Sequence, residues 1–184
     1  MKFWVSLIGY QLVWFAAVIG ASRGLAWPGV LGMLLFAASQ LAVSPRPRAE
    51  LLLMASAIAM GFLLDGGLIR TGFASYAAPW PSAALAPAWI LALWASFSLT
   101  FTQSLAYLQQ RLWLAVPLGG IGGPLAYLGA ARGWHVLTFT QPPWHALLWL
   151  GAGWALATPA LAWLARRWSA SPETAPLNLQ GHTR

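Results

Sequence analysis

Apolar residues run through this chain in long blocks, and polar residues collect between them. Six blocks stand out, over residues 3–21, 25–43, 51–69, 88–108, 112–131 and 144–165. Each approaches the ~20 residues that a helix needs to cross a hydrocarbon core of ~30 Å. The pattern predicts an all-α fold, a polytopic membrane helix bundle of about six transmembrane helices over residues 1–168. A polar cytoplasmic tail over 169–184, expected to be disordered, follows it.

The breaks between blocks hold the charges. Arg23, Arg46, Arg48, Glu50, Arg70, Arg111 and Arg132 lie there, and Arg166 and Arg167 end the last block. With the N-terminus inside, Lys2, Arg46, Arg48, Arg111, Arg166, Arg167 and Arg184 are cytoplasmic. Arg23, Arg70 and Arg132 are outside. The excess of inner basic residues supports both termini in the cytoplasm. The start of the chain resembles a signal peptide, with small residues among 18–22 suited to cleavage. The run is near spanning length and a second apolar block follows at once, so it reads as a retained first helix.

The connections differ in length. Ser22-Arg23-Gly24 forces an antiparallel hairpin, and Gln109-Gln110-Arg111 turns the chain as abruptly. The outer segment 71–87 is longer and contains Tyr76, Trp80 and prolines, which suit the headgroup level or a shallow dip into the membrane. Gly20-Ala21-Ser22-Arg23-Gly24 echoes Gly129-Ala130-Ala131-Arg132-Gly133. Helix ends explain this echo without duplication, because glycine terminates helices and arginine suits their C-terminal dipole.

Composition sharpens the membrane reading. The chain is 59% hydrophobic and 7% charged, against roughly 25% charged for a soluble domain. The net charge of +7 does not point to nucleic acid, because the basic residues lie singly or in pairs between apolar runs. With no cysteine, disulfides, thiolate nucleophiles and sulfur metal sites are excluded. The bilayer is the first expected partner, and a membrane protein or lipid enzyme is the second.

Asp65 is the one acid inside a predicted span. A carboxylate there costs at least ~2.5–3.5 kcal/mol on insertion scales, so it normally faces the bundle interior and has a partner. The alternative is that it snorkels outward to Arg70, though residues five apart share a helix face poorly. On the fourth helix Ser96, Thr100, Gln103, Ser104 and Tyr107 recur at helical spacing and form a polar stripe. Such stripes usually serve hydrogen bonds between helices, and less often a water path or a headgroup site. On the fifth, Gly119, Gly122, Gly123 and Pro124, with Pro117, predict close helix contact and a kinked or broken helix. At ~1.5 Å per residue, Asp65 falls level with Trp94 or Ser96 and with Tyr127. The expected polar cluster is therefore Asp65, Ser96, Thr100, Gln103 and Tyr127.

Other signals are weaker. His135 and His145 have no third ligand nearby in sequence, and His182 is in the tail, so no metal site and no cofactor are expected. The 13 tryptophans read as interfacial anchors and lipid-facing bulk. Nucleotide-binding, metalloprotease and serine-hydrolase patterns are all missing.

Four segments carry a resemblance: Tyr10-Gln11-Leu12-Val13-Trp14-Phe15, the stretch around Asp65, residues 94–108, and Gly122-Gly123-Pro124-Leu125-Ala126-Tyr127. Together they resemble a domain-of-unknown-function family of small bacterial inner-membrane proteins. The resemblance runs to about Arg167 and leaves the tail uncovered. Members of that family are often gene neighbours of cyclopropane-fatty-acyl synthase-like lipid methyltransferases. The resemblance thus implies an accessory role in envelope lipid modification and no catalytic residues. Two further readings stay open: a small transporter, flippase or channel around Asp65, and an intramembrane lipid-modifying enzyme. An enzyme is disfavoured by the scarcity of ionisable groups for acid–base chemistry.

Overall fold

Proline and glycine set the helix boundaries. Pro28 and Pro47 stand in the first turns of their helices, where a missing N–H is harmless and φ is preset. Gly24 takes a φ of +76° just after the first helix. His135, at a φ of 54°, closes the fifth in the left-handed region.

The computed structural model describes residues 2–169, and its helices form an all-α membrane bundle. The helices are α1 (Lys2–Ser22), α2 (Trp27–Ala42), α3 (Pro47–Arg70), α4 (Ala88–Thr100), α5 (Leu112–Trp134) and α6 (Trp144–Ser169). They occupy the six apolar blocks. Four of them, α1, α3, α5 and α6, are long and apolar enough to cross a membrane. The other two are shorter, at 16 residues for α2 and 13 for α4, or about 24 Å and 20 Å. The expected tail, with His182 and Arg184, lies outside the described residues beyond Ser169.

The fourth block departs from its predicted helix over 88–108. Regular α-helix stops at Thr100, and the chain continues through turns into a short 3-10 helix, Ala106–Gln110. The hydroxyls of Ser98, Thr100 and Thr102 each donate to the carbonyl three residues back, of Ala95, Phe97 and Leu99. The backbone N–H groups of Phe101, Thr102 and Gln103 bond three residues back as well. Hydroxyl side chains that compete for carbonyls tighten a helix end in this way. The fifth block departs in the opposite sense, since α5 runs unbroken through Pro117 and Pro124.

The bundle is arranged around α4, which is buried on most of its surface and packs against α1, α2 and α3. Its Trp94 ring stacks on Trp154 of α6, with centroids 4.1 Å apart and planes 17° apart. The α5–α6 seam is the most extensive contact between two helices. An added Cβ at Gly119 would collide with Thr158 and the Trp154 carbonyl, and one at Gly123 would collide with the Trp154 ring. Small residues at such positions let backbones approach in a membrane. Large apolar side chains such as Leu12, Leu35, Leu63 and Leu156 point outward, as lipid-facing positions should.

The segment 71–87 is tied back to the bundle by a short strand. Its strand β1 (Ala74–Tyr76) pairs antiparallel with β2 (Leu137–Phe139), placing Tyr76 opposite Leu137. Alternation turns Ala74 and Tyr76 inward and Ser75 outward. Trp80 stays exposed.

Candidate functional site

Asp65 is fully buried, at 0% exposure. Its Oδ1 accepts hydrogen bonds from the hydroxyls of Tyr76 and Tyr127, each at 2.7 Å, and its Oδ2 accepts one from Trp94 Nε1 at 2.8 Å. Three donors from β1, α4 and α5 therefore converge on one residue of α3. The sequence explains the fit locally. Gly61, one turn before Asp65, leaves room for the Trp94 ring, where a Cβ would collide with the indole. Gly67 likewise admits the Trp149 ring, whose Nε1 donates to the Leu64 carbonyl at 3.0 Å. Trp89 Nε1 donates to the Ala77 carbonyl at 3.0 Å and so holds the segment that carries Tyr76. Burial, and after it the neighbouring carboxylate, push the Tyr76 phenol well above its ordinary pKa. Tyr76 accordingly stays protonated and able to donate. Arg70 is exposed and is not among the partners of Asp65.

The structure brings only part of the expected cluster together. Tyr127 reaches Asp65, and so does Trp94, the depth-matched alternative to Ser96. Ser96 donates instead to the Ala92 carbonyl at 2.8 Å, and Thr100 to that of Phe97 at 2.6 Å. Gln103 is half-buried in the turns beyond α4 and holds no bond to Asp65. With α4 ended at Thr100, Ser104 leaves the stripe and meets Ser6 of α1 at 3.2 Å. Tyr107 is exposed. Gly119 and Gly123 line the α6 contact, whereas Gly122 is exposed and a Cβ there would meet nothing within 4 Å. Pro124 sits within ordinary contact of an added Gly151 Cβ, at 3.8 Å.

Sequence reading missed Tyr76, because its loop carries no helical period. It also missed a second buried acid. Glu50, in the first turn of α3, is 4% exposed. Its Oε1 accepts from Thr102 at 3.3 Å, and its Oε2 has no partner. Proximity to the charged break hid it. His145 stacks against Trp144 and Phe73, and no group of three metal-ligating side chains occurs among the described residues.

Beside the carboxylate node lies a cleft of about 280 Å³ between α1, α4, α5 and α6. Its walls are mainly aromatic and glycine, including Tyr10, Trp14, Phe97, Trp154, Gly119 and Gly122. It extends along α5 from Leu118 to Ala130, or about 18 Å at ~1.5 Å per residue. Trp94 and Tyr127 border both sites, so the bonds to Asp65 fix two side chains of the cleft wall.

The family model described as "Protein of unknown function (DUF2878)" matches residues 3–160. The chain belongs to the DUF2878 family. No curated protein and no solved structure matches it. The match spans Asp65 of this DUF2878 chain and its three donors, Tyr76, Trp94 and Tyr127.

Proposed function

We propose that this DUF2878 protein is a non-catalytic binding module of the bacterial inner membrane. It holds one lipid-phase molecule in the cleft beside Trp94 and Trp154 and serves a lipid-modifying system. Both termini lie in the cytoplasm, in keeping with the distribution of basic residues. One observation carries the reading: an elongated, nearly apolar cleft sits within a membrane bundle, and the neighbouring acid has both oxygens engaged. Ligand sites are typically concave and apolar, with a few placed polar groups. Asp65, already bonded to three donors, serves as the post on which the cleft wall is mounted. The sequence resemblance to neighbours of lipid methyltransferases supplies the lipid context.

The test is purification of the full chain in mild detergent, followed by native mass spectrometry and lipid analysis of the bound fraction. A stoichiometric lipid-phase molecule, together with a changed lipid profile in a deletion strain, is the expected outcome. A chain that purifies without any bound lipid-phase molecule, from a strain whose deletion leaves the profile unchanged, overturns the reading.

A further inference from the structure

We infer that the Tyr10 hydroxyl and the Trp14 indole N–H form the polar anchor of the cleft, which takes an apolar chain or ring carrying an oxygen acceptor deep inside the membrane. The inference rests on the binding reading above and names the chemistry of its ligand.

Of the seven polar side chains that line the cleft, three are already engaged. Trp89 donates to Ala77, and Trp94 and Tyr127 donate to Asp65. Trp154 Nε1 and Thr158 Oγ1 have no hydrogen-bond partner, but both atoms are sealed in the interior, where Thr158 abuts Gly119 across the α5–α6 seam. Tyr10 and Trp14 differ. Both line the cleft and are half-buried, and neither polar atom has a hydrogen-bond partner among the described residues. Neither polar atom is among the sealed ones, so both stay open to contact on residues that line the cleft. At a four-residue spacing they share one face of α1.

Their depth selects the ligand. Tyr10 lies about 12 Å from the start of α1 and about 18 Å from its end, at ~1.5 Å per residue. Headgroups and their linkages lie at the edges of the ~30 Å core, out of reach of a hydroxyl in mid-span. An unpaired hydroxyl at this depth carries a desolvation penalty that no water relieves. The acceptor must therefore travel with an apolar molecule into the core. A ring carbonyl of an isoprenoid quinone fits, and so does a keto oxygen partway along an acyl chain. Flat walls are at hand, since Phe97 packs on Tyr10 with centroids 5.8 Å apart and the Trp94–Trp154 stack borders the same space. On α5, Gly122 leaves open space, since an added Cβ there would meet nothing within 4 Å.

The experiment uses the full chain, stripped of lipid in detergent, with three probes: octadecanoate, a mid-chain keto-octadecanoate and a short-tailed isoprenoid benzoquinone. Wild type should bind one of the two probes with a keto or ring carbonyl more tightly than octadecanoate. Tyr10→Phe should weaken that probe roughly three- to tenfold, the loss of one hydrogen bond, and leave octadecanoate unchanged. Trp14→Phe, read in the same way, removes the second donor and serves if Tyr10→Phe misfolds by size exclusion. The probe whose binding depends on these residues identifies the source. Equal affinity for all three probes, or equal losses in the variants, overturns the anchor and leaves the cleft reading standing. Failure of wild type to bind any of the three overturns the cleft reading itself.

Discussion

Tyr76 and Tyr127 donate to the same oxygen, Oδ1 of Asp65, each at 2.7 Å. One comes from strand β1 and the other from α5, so a single atom joins the β1–β2 cap to the bundle. Removing the acceptor leaves both hydroxyls and the Trp94 indole unpaired in the interior. Each such donor costs about 1–3 kcal/mol. Asp65→Leu should therefore fold poorly, with a large drop in folded yield by fluorescence-detected size exclusion. Asp65→Asn should do less harm. Its oxygen can still accept from both tyrosines, while its amide N–H group faces the Trp94 N–H. Wild-type yield and melting temperature in Asp65→Leu would remove the carboxylate node from this account.

Gly122 and Gly123 are neighbours on α5 with opposite expectations. An added Cβ collides with the Trp154 ring at Gly123 and meets nothing within 4 Å at Gly122. Gly123→Ala should lose about 1–3 kcal/mol through overpacking. Gly122→Ala should be neutral, or gain up to about 1 kcal/mol from helix propensity. Gly123→Leu should be worse than either, whereas the exposed Leu148 should tolerate alanine. Thermal melts of the purified variants order the series, and equal midpoints for the two alanine variants would defeat the seam argument.

The helices were legible in the sequence because lipid demands long apolar runs and the charges mark where they stop. The end of α4 was not, since Ser98, Thr100 and Thr102 read equally well as a helical stripe and as carbonyl-binding hydroxyls. Which one prevails depends on local backbone competition. Asp65 was legible as an acid in need of partners, and its depth placed Trp94 and Tyr127 level with it. Tyr76 was not legible, because β1 and β2 are three residues each and pair across more than sixty residues of chain. Strands so short have no pattern of their own. Glu50 was hidden by the arginines around it.

Tyr76→Phe tests the cap separately from the bundle. The change keeps the ring, which packs edge-on against Trp89 at 6.2 Å, and deletes one donor to Asp65. A loss of about 1–3 kcal/mol is expected. Hydrogen exchange should rise in β1 and β2 and stay unchanged in the α1–α2 hairpin, because local opening follows the contacts that are lost. Unchanged protection in both strands would show that Tyr76 does not hold the cap.

Topology is the broadest expectation still to be measured. Pairing of β1 with β2 places the segments that follow α3 and α5 at one end of the bundle. If α2 and α4 also cross, despite lengths near 24 Å and 20 Å, the count is even and both termini share a side. The turns and 3-10 helix after Thr100 extend the fourth crossing toward Gln110, which makes up the length that α4 lacks. Arg46, Arg48, Arg111, Arg166 and Arg167 then fall on the side of the N-terminus, which the positive-inside tendency assigns to the cytoplasm. A phosphatase that is active only outside the cytoplasm should thus be silent when fused at either terminus. It should be active when inserted at the exposed Pro79–Trp80 pair, if the cap tolerates the insertion, or after Gly133. Strong activity at the C-terminal fusion would mean an odd number of crossings, and α2 or α4 would then be a buried helix that does not span.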